Sequence, residues 1–226
     1  MPHVPKPTPA ASEDYLTTIY RFEEQGRPVI AARVAETLGV TPPTAFGMLQ
    51  RLSRDGLIQS GSNKLLSLTP KGHRVAEQVV RRHRLAERML TEVLKLDWHL
   101  VYEEAHLFEH AISAVVEARL VEILGDPSTC PHGYPIPGHD GALPSAPLVP
   151  LSSLTEGARA RLARVPEDDA DLLKYLGSHG CVPGTPVAVN QVASFKGTIT
   201  VTCGKKELVL GQQVASTLLV SPAEPA

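Results

Sequence analysis

Two short runs of this 226-residue chain carry side chains that can hold a metal ion. In His106-Leu107-Phe108-Glu109-His110 the positions i, i+3 and i+4 share one face of an α-helix, so two imidazoles and a carboxylate project toward one point. Groups of this kind on consecutive turns can supply three ligands to a divalent cation. His83 and Glu87 form an i, i+4 pair on what the pattern makes the preceding helix, and add a further imidazole and carboxylate. Cys130 and His132 could also ligate, but no other ligand-type pattern lies near them in the sequence.

Composition narrows the setting. Lys and Arg number 22 against 24 Asp and Glu, a net charge of −2 that argues against a general binder of nucleic acid or anionic membranes. The distribution says more. Between Arg27 and Arg88 stand 11 basic side chains against 4 acidic ones (Glu36, Asp55, Glu77 and Glu87), a local electropositive segment. Three cysteines, Cys130, Cys181 and Cys203, at wide spacing and without a CxxC imply neither a disulfide framework nor a thiolate zinc site. No apolar run approaches the roughly 20 residues that span a bilayer, and the Pro-rich start lacks a signal-peptide core, so a cytoplasmic protein with no membrane partner is expected.

The elements that must position these groups follow in order. A helix is expected from about Ser12 to Gln25, with Ser12 as its cap, Asp14 in its first turn and Tyr15, Ile19 and Phe22 on its apolar stripe. Taken alone, Asp14 is an ordinary first-turn carboxylate. A short helix stopped by Gly39 and a second one capped by Thr41, from Pro42 or Pro43 to Arg54, make a helix-turn-helix. Leu57–Gln59 and Leu65–Leu68 then read as a β wing, and Thr69-Pro70 starts a long helix from Lys71 to about Leu94. Together with the basic excess this pattern points to DNA rather than to a protein partner. The exposed start of the recognition helix holds Thr41, Pro43, Thr44, Phe46 and Gly47. Thr44 could meet a phosphate, a base edge or a thymine methyl, and Phe46 could pack on thymine methyls. Arg33, Arg51, Arg54 and Lys64 suit phosphates, so shape and backbone contacts are expected to carry much of the specificity.

A further helix is expected from near Asp97 to Leu124, apolar on more than one side through Leu100, Leu107, Ala111, Ala114, Val115, Leu120 and Ile123. Such a helix buries one face in its own domain and another against a second copy, which predicts a homodimer on a palindromic operator. The expected organisation is a flexible leader over 1–11, a winged helix-turn-helix over 12–73, a helical metal-binding and dimerisation domain over 74–126, and a Pro/Gly-rich loop and linker over 127–149. A small β-barrel follows over 150–226, with short strands between Gly turns and no catalytic constellation. The fold class is thus mainly α with a small β domain.

Several stretches in register resemble the diphtheria toxin repressor family of metal-dependent transcriptional regulators, which has iron-sensing and manganese-sensing (MntR-like) branches. They are Glu13-Asp14-Tyr15-Leu16-Thr17-Thr18-Ile19-Tyr20, Arg54-Asp55-Gly56-Leu57, Leu68-Thr69-Pro70-Lys71-Gly72, His83-Arg84-Leu85-Ala86-Glu87-Arg88, Glu109-His110 and Pro135-Ile136-Pro137-Gly138. Tyr175-Leu176 through Val182-Pro183-Gly184 resembles the SH3-like, FeoA-type module of longer members. The resemblance implies a primary site of Asp14, His106, Glu109 and His110, and an ancillary site of His83, Glu87 and Tyr102, with Glu167 as the match to a third-domain ligand. Aspartate at position 14 and tyrosine at 102 follow the manganese branch, while histidine at 106 follows neither.

Hard carboxylate oxygen at Asp14 favours Mn(II), whereas a set of imidazoles suits Fe(II), Co(II) or Zn(II). The expectation is a homodimeric repressor activated by Mn(II), with Fe(II) next and Co, Zn and Cd able to substitute in vitro. It has no small-molecule substrate and is not an enzyme. Two other readings are a constitutive DNA-binding protein with a structural metal site and, less favoured, a metalloenzyme.

Overall fold

A computed structural model describes residues 8–138, 147–193, 195 and 197–222. Most of the expected leader, and the 139–146 part of the expected loop and linker, lie outside them. Contacts divide the chain into two compact units, Met1–Arg82 and His83–Ala226.

In the first unit, α1 spans Ala10–Glu24. It starts earlier than expected because the amides of Ser12 and Glu13 both donate to the Pro9 carbonyl. Ser12 is therefore not a cap but a buried residue inside the helix, its hydroxyl on Met48 Sδ at 3.7 Å. Asp14 accordingly lies beyond the first turn. The helix-turn-helix follows as α2 (Ala31–Thr37) and α3 (Pro42–Arg54), and Thr41 caps α3 by accepting the Thr44 amide at 3.5 Å. The wing pairs β1 (Ile58–Ser60) with β2 (Leu66–Leu68) antiparallel, Ile58 opposite Leu68. The Thr69 hydroxyl accepts the Gly72 amide at 3.1 Å and opens α4 (Pro70–Arg88). Leu16, Ile19, Val34 and Leu52 sit fully buried at the centre of this unit.

The second unit takes up the end of α4, which passes into a π-helical turn at Met89–Val93 instead of running on as α-helix to Leu94. Two helices then replace the single one expected from Asp97 to Leu124: α5 (Val101–Glu109) and α6 (Ala114–Leu124). The break has a local cause. The amides of Ala111 and Ile112 both turn back to the Phe108 carbonyl, and Ser113, extended at φ −76° and ψ 163°, caps α6 by accepting the Val116 amide. A serine with helix formers after it is a start signal that the continuous apolar pattern hides.

The β domain contains β3 (Val149–Pro150), β4 (Arg159–Arg164), α7 (Ala170–Ser178), β5 (Pro186–Val192), β6 (Thr198–Cys203), β7 (Lys206–Gly211), α8 (Gln212–Thr217) and β8 (Leu219–Pro222). Its antiparallel sheet has the order β3-β8-β4-β5-β6-β7 around a core that includes Leu162, Leu173, Leu176, Val201 and Val220. The fold class is as the pattern predicts, mainly helical with a C-terminal antiparallel β domain. Sequence reading missed α8 and β8, although β8 joins β3 to β4. One expectation about the cysteines is corrected: Cys181 and Cys203 form a disulfide, Cα atoms 5.5 Å apart. The register that sets Val187 opposite Cys203 folds the chain back, so residues separated by 22 positions meet.

Candidate metal centres

The first cluster is built on α5. Glu109 is fully buried, with Oε1 3.0 Å from His106 Nδ1 and 3.4 Å from His110 Nε2. His106 keeps 45% of its side chain exposed and His110 22%, so a carboxylate with its two flanking imidazoles opens partly to solvent. His110 closes α5 yet retains helical backbone angles, which preserves the i, i+3, i+4 spacing where the helix ends. The other carboxylate oxygen of Glu109 accepts His83 Nδ1–H at 2.6 Å, and His83 Nε2 lies 3.7 Å from Glu87 Oε1. His83 thus stands between the carboxylates of two clusters. Asp14 sits half-buried on α1 in the other unit.

The second cluster was not expected as a unit. Glu87, Cys130, His132 and Glu167, all buried, offer ligand atoms within 4.8 Å of one another. The chain assembles it from three places. Glu87 lies on α4 one turn after His83, and Cys130 and His132 come from the loop after α6. The loop is pinned to α4 by Arg84, whose Nη1 donates to the Pro135 carbonyl at 2.6 Å, and by Arg88, whose Nε donates to the Thr129 carbonyl at 2.6 Å. Tyr134 is held between two guanidiniums, Arg84 at 5.0 Å and Arg164 at 4.6 Å from its ring centroid. Arg84 is therefore fully buried and serves the loop, not the electropositive surface that the sequence suggests for it. Gly133 lets the loop lie on β4: its φ is +90°, and a Cβ there would fall 1.9 Å from the Ala163 carbonyl oxygen. The Val165 amide then donates to the His132 carbonyl at 3.0 Å, which brings Glu167, two residues on, to the cluster.

Acidic and imidazole groups of this cluster act strongly on one another in a buried setting. Burial alone would push the Glu87 carboxyl up, but hydrogen bonds from His132 and His83 and their charge hold it below the ordinary carboxylate range. Burial acts to lower the His132 imidazole, yet the hydrogen bond and charge of Glu87, then the charge of Glu167, raise it. The Cys130 thiol is pushed well above its ordinary value, by burial first and by Glu87 and Glu167 next. Among the described residues, the buried Glu87 Oε2 has no hydrogen-bond partner. Two carboxylates in so dry a place cost several kcal/mol each unless a positive charge balances them. A thiolate, an imidazole and two carboxylates suit a divalent transition metal better than Mg(II) or Ca(II), so the residues fit such an ion.

Of the other ligands implied by resemblance, Tyr102 sets its ring steeply against that of His83, 5.0 Å between centroids, and Glu167 is a member of the second cluster. The sequence signal for the second cluster was the Cys130-x-His132 spacing inside a Pro/Gly loop, too short a motif to reveal the helix and strand that complete it.

Thr41 at the cap of α3 and Pro43, Thr44, Phe46, Gly47, Arg51 and Arg54 on it are exposed, as is Lys64 in the wing. Arg33 donates to the Pro28 carbonyl and Arg51 pairs with Asp55 at 3.9 Å, which orients both side chains.

A helix-turn-helix with a wing, together with buried clusters of metal-ligating side chains and a small β domain, defines a metal-dependent DNA-binding regulator. Comparison with known proteins gives the family. Residues 8–64 match the iron-dependent repressor N-terminal DNA-binding domain, 69–138 its metal-binding and dimerisation domain, and 149–222 the FeoA domain. The chain is 37% identical over 221 residues to the iron-dependent repressor IdeR of Mycobacterium leprae (strain TN), covering 92% of this chain and 96% of the relative. It is 36% identical over 219 residues to the diphtheria toxin repressor of Corynebacterium diphtheriae, with the same coverage. Among solved structures it is similar to a manganese-dependent transcriptional repressor in complex with manganese (TM-score 0.86, 33% identity, 94% of this chain and 100% of that one). It is also similar to the manganese regulator SloR (TM-score 0.77, 30% identity, 94% and 98%). The chain belongs to the diphtheria toxin repressor family of metal-dependent transcriptional repressors.

Proposed function

We propose that this protein is a cytoplasmic, homodimeric repressor of metal-uptake genes that answers to Mn(II), with Fe(II) the next candidate. The observation that carries the reading is the buried Glu109 carboxylate facing His106 and His110, on a helix that also exposes Leu107 and Phe108. In this reading Asp14 completes the first centre from α1. Glu87, Cys130, His132 and Glu167 form the second, with His83 between them and Tyr102 supporting the ring of His83. A bound divalent cation supplies the positive charge that converging carboxylates need, and so favours whichever state brings them together. Asp14 belongs to the DNA-binding domain and the other ligands to the domains after it. Holding them in one shell fixes the spacing of paired recognition helices on a palindromic operator. A coupling of about 1–3 kcal/mol between metal and DNA is typical of such regulators. The domain scheme expected from sequence, 12–73, 74–126 and 150–226, belongs to the same proposal.

The choice of Mn(II) rests on the aspartate at 14 and on likeness to regulators named for manganese, against relatives named for iron. Exposed Leu107 (73%), Val115 (75%) and Ile123 (68%) on α5 and α6 support the dimer, since apolar side chains on neighbouring helices form a surface for a second copy. Thr44 and Phe46 face base edges in this reading, with Arg33, Arg51, Arg54 and Lys64 on phosphates.

The test is operator binding under anaerobic conditions across Mn(II), Fe(II), Co(II) and Zn(II), with full chelation as the control. Unchanged affinity after chelation overturns the proposal. Asp14→Ala is expected to remove most metal activation and leave the dimer intact. A fully responsive variant takes Asp14 out of the site.

A further inference from the structure

We propose that Trp98 is a positioning residue for the second centre: it fixes the orientation of the His132 ring and makes that orientation depend on how α7 of the β domain is seated. The inference rests on the proposal that Glu87, Cys130, His132 and Glu167 hold a metal ion.

Trp98 is the single tryptophan of the chain and lies between the π-helical turn and α5. Its backbone carbonyl accepts a hydrogen bond from His132 Nε2–H at 3.0 Å. That bond consumes one ring nitrogen and turns the other, Nδ1, inward, 2.9 Å from Glu87 Oε1. An imidazole ligand needs such a fixed tautomer and orientation. The indole stacks on the same ring at 5.5 Å with 29° between planes. One residue therefore holds His132 both at its edge and on its face.

The indole also rests on α7. A Cβ built on Gly177 would lie 2.4 Å from Trp98 Nε1, so the ring edge occupies the space a side chain would take. Trp98 packs against the core of the β domain. Among the described residues its buried Nε1 has no hydrogen-bond partner, although indole N–H groups usually find one when buried. Packing against His132 and Gly177 holds the ring. Glu167 reaches the cluster from the β domain as well, so seating that domain places one ligand directly and orients another through Trp98.

The experiment uses the full chain with Co(II) as the probe, because a Cys130 thiolate bound to cobalt gives a charge-transfer band that the first centre, which has no thiol, cannot produce. Gly177→Ala is expected to weaken the titration of that band about tenfold, the low end of what losing a ligand's orienting partner causes. Alanine favours helix over glycine, so a loss of cobalt affinity would come from the contact with Trp98 rather than from a weaker helix. Trp98→Phe, with a smaller ring, supplies the background for a double-mutant cycle. There, adding Gly177→Ala is expected to cost almost nothing further. An equal loss from Gly177→Ala in both backgrounds overturns the role of Trp98, as does a wild-type titration in Gly177→Ala. Absence of the thiolate band in the unmodified protein is a different failure: it removes the second centre itself, and the proposal with it.

Discussion

His106 stands half exposed beside a fully buried Glu109, and its neutral nitrogen ligand suits borderline ions better than Mn(II). Replacing it by glutamate exchanges nitrogen for hard oxygen. His106→Glu is expected to weaken activation by Co(II) about tenfold relative to Mn(II), read as the ratio of metal concentrations that half-saturate operator binding. A second expectation concerns Cys130. Cys130→Ser is expected to abolish the cobalt–thiolate band and lower metal affinity at the second centre about 10- to 100-fold while leaving activation through the first centre measurable. The titration behaviour of the second centre gives a third. Without metal, His132 and Cys130 hold their protons to higher pH than usual, whereas Glu87 is already charged. Ligation needs a neutral imidazole and a thiolate, so binding releases those protons. Affinity at this centre is therefore expected to climb as pH rises and to fall as pH drops, with proton release visible by calorimetry in buffers of different ionisation enthalpy. At this scale the sequence was informative where ligands share one helix, as in His106, Glu109 and His110. It was nearly silent on Cys130 and His132, because the partners of a loop residue come from distant elements.

Among the elements, the pair α5 and α6 shows both the strength and the weakness of pattern reading. Periodicity found the helical surface, and with it Leu107, Val115 and Ile123 as exposed apolar positions. It missed the break at Ser113, because apolar residues continue on either side at helical spacing and only the hydroxyl of Ser113 marks the restart. Leu120, part of the same apolar pattern, is buried in the unit's own core, as a helix apolar on more than one side requires. Leu107→Glu is expected to give a monomer in sedimentation at micromolar concentration and to lose operator binding, since single half-sites are held far more weakly than pairs. Retention of a dimer would place the interface elsewhere. The wing and α3 were legible down to the cap at Thr41 because turn and cap residues there act locally. By contrast β8 and α8 were not, since their place in the sheet depends on β3 and β4, both remote in sequence.

For the whole molecule, the Cys181–Cys203 link adds stability that depends on redox conditions. Closing a loop of 22 residues is worth about 3 kcal/mol by restricting the unfolded chain. Reduction, or Cys203→Ser, is expected to lower the melting point of the β domain by several degrees and to leave that of the helix-turn-helix unit nearly unchanged. A different consequence follows from Tyr134, clasped between Arg84 and Arg164 on a loop that Arg88 and Gly133 also secure. The shape of that loop is maintained by contacts in which no ion takes part. In the proposed second centre these contacts would hold Cys130 and His132 near their places before an ion binds, so little of the binding free energy would go into ordering the loop.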